Sequence, residues 1–282
     1  MRTIVFGAKG QLGRDLCERF RLDGDVFPAD LPELDIADFS AVEQFVRDTH
    51  PDLAVNAAAY TDVEAAEDEP AVAFRVNESG AGNIARAAGL AGACVVYYST
   101  DFVFDGTKMA PYTPDDIPAP LCVYAKSKLA GEEATRAGNG RHCIIRTAWL
   151  YGPGGNNFVE KILRAAQSRP SLSVVEDEVG SPTYTPDLAE ATAVLASAGV
   201  FGTFHVVNSG SCSRYEFARR IVELAGLDTP VEPCRSGAFP MKAKRPMYSV
   251  LSNEKYEKLT GRRMRGWQDA LASYIQRRRQ NP

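Results

Sequence analysis

Tyr124 and Lys128 stand four residues apart in Tyr124-Ala125-Lys126-Ser127-Lys128, where the chain places its single Y-x-x-x-K. On a helix that spacing puts both side chains on one face. A phenol with an ordinary pKa of about 10 is a poor acid–base group at neutral pH, and a neighbouring ammonium stabilises its phenolate and lowers that value. Such a pair can deliver a proton to a carbonyl oxygen or take one from a carbinol. Alone the pattern is weak, because a packed tyrosine and a solvated lysine on a surface helix share the spacing. It gains weight from Thr100, which closes the apolar run Ala93 to Tyr98 as the second of a hydroxyl pair. A strand ending there would offer the Thr100 hydroxyl to the same oxygen.

A second group of residues supplies a place for a redox partner. Gly7-Ala8-Lys9-Gly10-Gln11-Leu12-Gly13 follows the β-branched and aromatic run Thr3-Ile4-Val5-Phe6 and precedes apolar residues at helical spacing, Leu12, Leu16, Cys17 and Phe20. Glycine tolerates positive φ and lets the backbone approach a ligand, and the free N–H groups of a following helix attract a diphosphate. The spacing is G-x-x-G-x-x-G, not the usual G-x-G-x-x-G of dinucleotide sites. Asp30, at the end of Asp25 to Ala29, is the acid expected to bind a ribose 2′-OH. Ile36 would lie against an adenine face with Asp35 accepting from its amino group, while Asp38 caps the next helix. Ala57, Ala58 and Ala59 end a third strand and are small enough for ribose and diphosphate to pack closely, and Thr61 and Asp62 follow near enough to touch ligand.

These residues require elements that hold them. Strand and helix patterns alternate up to Gly152: strands at Thr3–Phe6, Asp25–Asp30, Pro51–Tyr60 running into its C-terminal loop, Ala93–Thr100 and Arg141–Thr147, with helical patterns between, one running from Pro70 through Leu90 around a polar Asn77. That alternation predicts an α/β fold, a Rossmann-type doubly wound parallel sheet with a smaller C-terminal substrate-binding domain. Residues 1–152 and a returning segment, about 185–209, would form the dinucleotide-binding domain. Residues 153–184 and 210–282 would form the cap, where Ser213 and Glu216 make a capping box.

Composition bounds the rest. The 282 residues are 45% hydrophobic and 24% charged, with net charge −4 and no long run of either sign, which disfavours a nucleic-acid or anionic-membrane partner. The N-terminus enters a strand without a leader and no apolar stretch reaches 18 residues, so the expected location is cytoplasmic. Six scattered cysteines without a C-x-x-C read as reduced thiols, and three separated histidines suggest no metal site. Arg262-Arg263-Met264-Arg265 and Lys242, Lys244 and Arg245 would serve a diphosphate, although solvated basic faces are commoner.

Taken together, Gly7-x-x-Gly10-x-x-Gly13, Asn56-Ala57-Ala58-Ala59, Ser99-Thr100-Asp101 and Tyr124-x-x-x-Lys128 resemble the extended short-chain dehydrogenase/reductase family. Further segments, above all Ser99-Thr100-Asp101-Phe102-Val103-Phe104-Asp105-Gly106 and Arg146-Thr147-Ala148-Trp149-Leu150-Tyr151-Gly152, are similar to its branch that reduces dTDP-linked 4-keto-6-deoxy sugars. Asn156-Asn157-Phe158, Gly180-Ser181-Pro182-Thr183 and Arg245-Pro246-Met247-Tyr248-Ser249-Val250-Leu251 extend the likeness over nearly the whole chain. The resemblance implies reduction of the C4 ketone of dTDP-4-dehydro-L-rhamnose by NADPH or NADH, giving dTDP-L-rhamnose. It implies Tyr124 as proton donor, Lys128 as the group that lowers its pKa and binds the nicotinamide ribose, and Thr100 as a residue that tunes the tyrosine and contacts the sugar. Asp101 and Trp149 would hold the sugar, and Gly10, Gln11, Leu12, Asp30, Asp35, Ile36, Ala59, Tyr60 and Thr61 would line the cofactor. Phe102 departs from the tyrosine of many members and removes a hydroxyl there. A nucleotide-sugar 4,6-dehydratase would carry Thr-Asp-Glu where this chain has Thr100-Asp101-Phe102. A C4 epimerase or a non-catalytic subunit resembling that of methionine adenosyltransferase stay as alternatives, with the oligomeric state open, a homodimer included.

Overall fold

A computed structural model describes residues 1–280. Its first half runs β1 (Arg2–Phe6), α1 (Gln11–Phe20), β2 (Asp25–Ala29), α2 (Phe39–Thr49), β3 (Leu53–Asn56), α3 (Ala65–Asp68), α4 (Pro70–Phe74), α5 (Ala81–Leu90), β4 (Cys94–Thr100), α6 (Val123–Gly138) and β5 (His142–Thr147). The second half runs β6 (Leu150–Tyr151), α7 (Phe158–Ser168), β7 (Leu172–Val175), β8 (Val179–Gly180), β9 (Thr183–Tyr184), α8 (Thr185–Ser197), β10 (Gly202–His205), β11 (Cys212–Ser213), α9 (Arg214–Ala225), β12 (Val231–Cys234), α10 (Glu254–Thr260) and α11 (Trp267–Gln280).

Six strands form one sheet in the order β10-β5-β4-β3-β1-β2, and every pairing in it is parallel. Parallel neighbours need crossover helices, which cover both faces, so the strands are apolar on both sides. Val5, Val55, Val96 and Ile145 face one layer with Leu16, Phe20 and Leu188, while Ile4, Ala54 and Val95 face the other with Val42, Val46 and Ile84. The chain leaves β1 on one side for β2 and returns on the other for β3. At that reversal a crevice opens beyond the strands' C-terminal ends. The segment 185–209 adds α8 and the edge strand β10, which pairs with β5. α7, β7, α9 and α11 pack around their own core of Tyr151, Val159, Phe217, Trp267 and Leu271, whereas α10 lies against β10, with Tyr256 in the core of the main sheet. Among the described residues no helix is long and apolar enough to cross a membrane.

The pattern from Pro70 to Leu90 is not one uniform helix, because Arg75–Gly80 is wound as a π-turn. The wider turn carries the buried Asn77 amide inward, where it donates to the Tyr60 carbonyl at 3.0 Å and the Ser127 hydroxyl at 2.9 Å and accepts from Tyr60 N–H at 2.9 Å. Asn77 thus ties the loop after β3 to α6. Close approach of α6 depends on Gly131, whose added Cβ would lie 2.1 Å from the Asn77 carbonyl oxygen and 2.2 Å from the Tyr97 hydroxyl. Gly131→Ala is expected to push α6 outward and cost about 1–3 kcal/mol, the usual scale of overpacking. A lower urea midpoint with unchanged slope checks it.

Candidate active site

The crevice encloses about 600 Å³. Its floor and walls come from the ends of separate elements: Gly10 to Gly13 at the start of α1, Ala57, Ala59 and Thr61 after β3, Ser99, Thr100 and Asp101 at the end of β4, Tyr124 and Lys128 on α6, and Thr147 to Trp149 after β5. Asn156, Asn157, Arg214 and Arg245 close it from the C-terminal elements.

The first wall has the form of an anion cradle. Gly7 has φ of +77°, and a Cβ on Gly13 would lie 2.0 Å from the Gly7 carbonyl oxygen, so the loop closes this tightly only with glycine at both places. α1 begins after Gly10 with no side chain capping it. Its first N–H groups therefore face the crevice unpaired, as a diphosphate requires. Gln11 is braced by Asn157, whose amide donates to the Gln11 carbonyl at 2.9 Å and to the Gly152 carbonyl at 3.0 Å.

Opposite lie the ionisable groups. Lys128 is 4% exposed, donates to the Tyr98 carbonyl at 2.6 Å and sits 4.3 Å above the centre of the Tyr97 ring. Burial pushes its pKa down to about 7, against the opposing charge of Glu132 one turn along α6. Tyr124 is half-buried, its ring edge-on to Phe102 at 6.1 Å. Burial raises its pKa, and the charge of Asp101 raises it further. The value is raised and not lowered as the Lys128 spacing implied, because burial dominates, and the phenol is held neutral, the form that can give a proton. Beneath them Glu132 and Arg146 form a buried bidentate ion pair with both contacts at 2.8 Å.

Trp149 turns into the crevice from a backbone φ of +47°, a strained value for an aromatic residue. A Cβ on Gly180 would lie 2.5 Å from its indole, so the glycine lets that ring lie close. The Arg214 guanidinium stacks 3.5 Å from the Trp149 ring centre and pairs with Glu178 at 3.6 Å. Burial lowers the Arg214 pKa to about 10, still well above neutrality.

A proton donor, an ammonium and a helix N-terminus facing one another across a crevice describe a site for reduction or oxidation at a carbon–oxygen bond. The family described as RmlD substrate binding domain matches residues 1–280. The chain belongs to the RmlD family. It is 43% identical to the spore coat polysaccharide biosynthesis protein SpsK of Bacillus subtilis (strain 168), over 98% of each chain. It is 42% identical to the dTDP-4-dehydrorhamnose reductase of Mycobacterium tuberculosis, over 97% of this chain and 92% of that one. The crystal structure of dTDP-4-dehydrorhamnose reductase from Bacillus anthracis in complex with NADP superposes with a TM-score of 0.95, at 39% identity, covering 98% of this chain and 99% of that one.

Within this RmlD-family chain the expected site residues fall into two groups. Gly10, Gln11, Leu12, Gly13, Ala57, Ala59, Thr61, Thr100, Asp101, Tyr124, Lys128 and Trp149 share the crevice. Gly7, Asp30, Asp35, Ile36, Ala58 and Tyr60 lie behind or beside it. Asp30 is turned back on the glycine loop, accepting from Lys9 N–H at 2.7 Å and Leu31 N–H at 2.8 Å. Asp35 pairs with Arg75 at 2.9 Å, and Ile36 is buried with its side chain against Gly80. Ala58 N–H donates to the Asn56 side chain, and the Tyr60 hydroxyl donates to Glu69. Of the basic groups, Arg245 reaches the crevice, whereas Arg262, Arg263 and Arg265 pair with Glu190, Glu257 and Asp187 at the surface and Lys242 pairs with Asp68. Arg214, Glu178 and Glu132 carried no signal in the sequence beyond their positions in helix and loop. Asn77 did, as a polar residue in an apolar pattern. Among the described residues no group of three or more His, Cys, Asp or Glu side chains is arranged to hold a metal ion.

Proposed function

We infer that this chain reduces the C4 ketone of a dTDP-linked 4-keto-6-deoxy sugar, dTDP-4-dehydro-L-rhamnose, to the C4 alcohol of dTDP-L-rhamnose, using NADPH or NADH. The observation that carries the reading is the convergence of Tyr124, Lys128 and Thr100 on a crevice whose far wall is the uncapped start of α1. The names of the relatives and the NADP complex of the Bacillus anthracis protein support it. The glycine loop and the alanines after β3 fit a dinucleotide, which when bound supplies the hydride. Tyr124 then gives its proton to the ketone oxygen, Thr100 orients the phenol, and Lys128 stabilises the phenolate left behind. We take residues 1–152 with 185–209 as the cofactor-binding unit, and 153–184 with 210–282 as the cap.

The substrate's nucleotide has a matching space. A second cavity of about 690 Å³, walled by Phe158, Val174, Val175, Phe239 and Met247, meets the crevice at Arg214 and Arg245. An apolar pocket beyond two guanidinium groups suits a base and its diphosphate. Mixing purified protein, reduced cofactor and dTDP-4-dehydro-L-rhamnose tests the reading by loss of reduced-nicotinamide absorbance. A C4 epimerase would interconvert sugars with no net loss, and that result would overturn it.

The lysine sets a pH dependence. The Lys128 ammonium is lost as pH rises through about 7, and with it the charge that stabilises the phenolate. The expected result is a kcat/KM for reduction that declines above that pH, with a parallel weakening of NADPH affinity. Rate profiles and cofactor titrations over the same pH range check both.

A further inference from the structure

Thr100, Asp101 and Ser249 form a hydrogen-bonded chain in the crevice that Tyr124 also lines. The Ser249 hydroxyl donates to Asp101 Oδ2 at 2.5 Å, and the Thr100 hydroxyl donates to Asp101 Oδ1 at 3.0 Å. Phe102 N–H donates to the Thr100 oxygen at 3.2 Å. Asp101 is 2% and Ser249 1% exposed, so neither carboxylate nor hydroxyl is there for solvation. Ser249 comes from a distant strap, whose backbone is held on β8 by Ser249 N–H donating to the Val179 carbonyl and Val179 N–H to the Met247 carbonyl, each at 2.8 Å.

A threonine hydroxyl has one proton. While Asp101 is ionised and takes that proton, the Thr100 oxygen can only accept, and its remaining lone pair is left for the Tyr124 phenol. We propose that Ser249 is a positioning residue for the reduction: by holding the Asp101 carboxylate, it fixes the direction of the Thr100 hydrogen bond and keeps the proton on Tyr124 until the ketone arrives. This rests on the ketone-reductase reading above. When Asp101 becomes protonated it turns donor, the Thr100 hydroxyl is released, and the alignment is lost.

The charges around Asp101 agree with that order. Burial raises its pKa to about 6, against the Ser249 and Thr100 hydrogen bonds and the Arg214 charge, which lower it. Besides Arg214 from α9, itself paired with Glu178, the ionisable groups sharing the crevice are Tyr124 and Lys128 from α6 and Arg245 from the strap that carries Ser249. The carboxylate is thus ionised at neutral pH and lost on acidification, on the opposite limb of the rate profile from Lys128.

Ser249→Ala is the test. Removing one hydrogen bond to a charged group is expected to raise the acid limb of kcat by about 1 pH unit and to lower kcat about fivefold at the wild-type midpoint, approaching about tenfold below it. The alkaline limb should stay in place, and Ser249→Thr, which keeps the hydroxyl, should restore the acid limb. Carbon-detected NMR titration of the Asp101 carboxyl in the cofactor-free protein should show the same upward shift without any turnover. An acid limb and a carboxyl titration both unmoved in Ser249→Ala would overturn the proposal, as would a general loss of rate at all pH values. A shifted carboxyl titration in a protein that oxidises no NADPH would leave the hydrogen-bond chain standing and reject the reductase reading instead.

Discussion

Tyr124→Phe is expected to lower turnover by about 10²–10⁴-fold, the usual contribution of a positioned acid, while NADPH affinity should stay near the wild-type value. The substitution removes one oxygen and keeps the ring, so the edge-on contact with Phe102, at 6.1 Å and 79° between planes, survives. What disappears is a hydroxyl in the crevice that Thr100 and the glycine loop also line. Because burial keeps this phenol neutral, its loss is the loss of a proton, not of a charge, and the electrostatic field on the cofactor changes little. Single-turnover kinetics with NADPH, beside a fluorescence titration of cofactor binding, separate the two effects. Turnover within tenfold of wild type would reject Tyr124 as the acid.

Glu132→Gln is expected to destabilise the fold by about 3–5 kcal/mol, since it leaves a buried guanidinium without its counter-charge. Glu132 is fully buried and the Arg146 side chain is 3% exposed, with Arg136 joining the carboxylate at 2.8 Å from the surface side. Burial alone would raise the carboxyl pKa, but the Arg146 contacts outweigh it and hold the value below the ordinary one. A carboxylate with a depressed folded-state pKa contributes stability above its unfolded value of about 4.3, and that contribution is lost as pH falls through the folded value. Urea unfolding of wild type and variant should therefore differ most near neutrality and converge in acid. A difference below about 1 kcal/mol at neutral pH would show the pair to be energetically idle. Loss of Glu132 also removes the charge that opposes the burial of Lys128, so the alkaline limb of the rate profile should move downward in the same variant.

Much of this site could be read from the chain because its parts are local patterns. The strand, glycine turn and helix around Gly7 to Gly13 are contiguous, and a helix places Tyr124 and Lys128 on one face whatever surrounds it. The β-α alternation implies parallel pairing, and parallel pairing puts Thr100 and the alanines after β3 at the same edge. The capping box at Ser213 and the Asp38 cap are equally local, and both are present.

Other features depend on partners far away in sequence. Asp30 follows β2 directly, as its spacing implies, yet its carboxylate is turned onto Lys9 and Leu31 by loop geometry that no spacing rule contains. Asp35 and Ile36 follow a strand end too, but an ion pair with Arg75 and packing under Gly80 hold their side chains. The π-turn at Asn77 exists because Tyr60 and Ser127 converge on one amide.

The layered parallel architecture and the shared helix face of Tyr124 and Lys128 follow from the chain's own patterns, since each rests on hydrogen-bond geometry repeated along a few neighbouring residues. Packing alone brings Ser249 to Asp101 across 148 positions, lays Arg214 on Trp149 and buries Lys128 deeply enough to titrate at about 7. Such contacts form when separate elements pack, and burial, which governs the charge on each group, belongs to the packed whole and not to any stretch of chain.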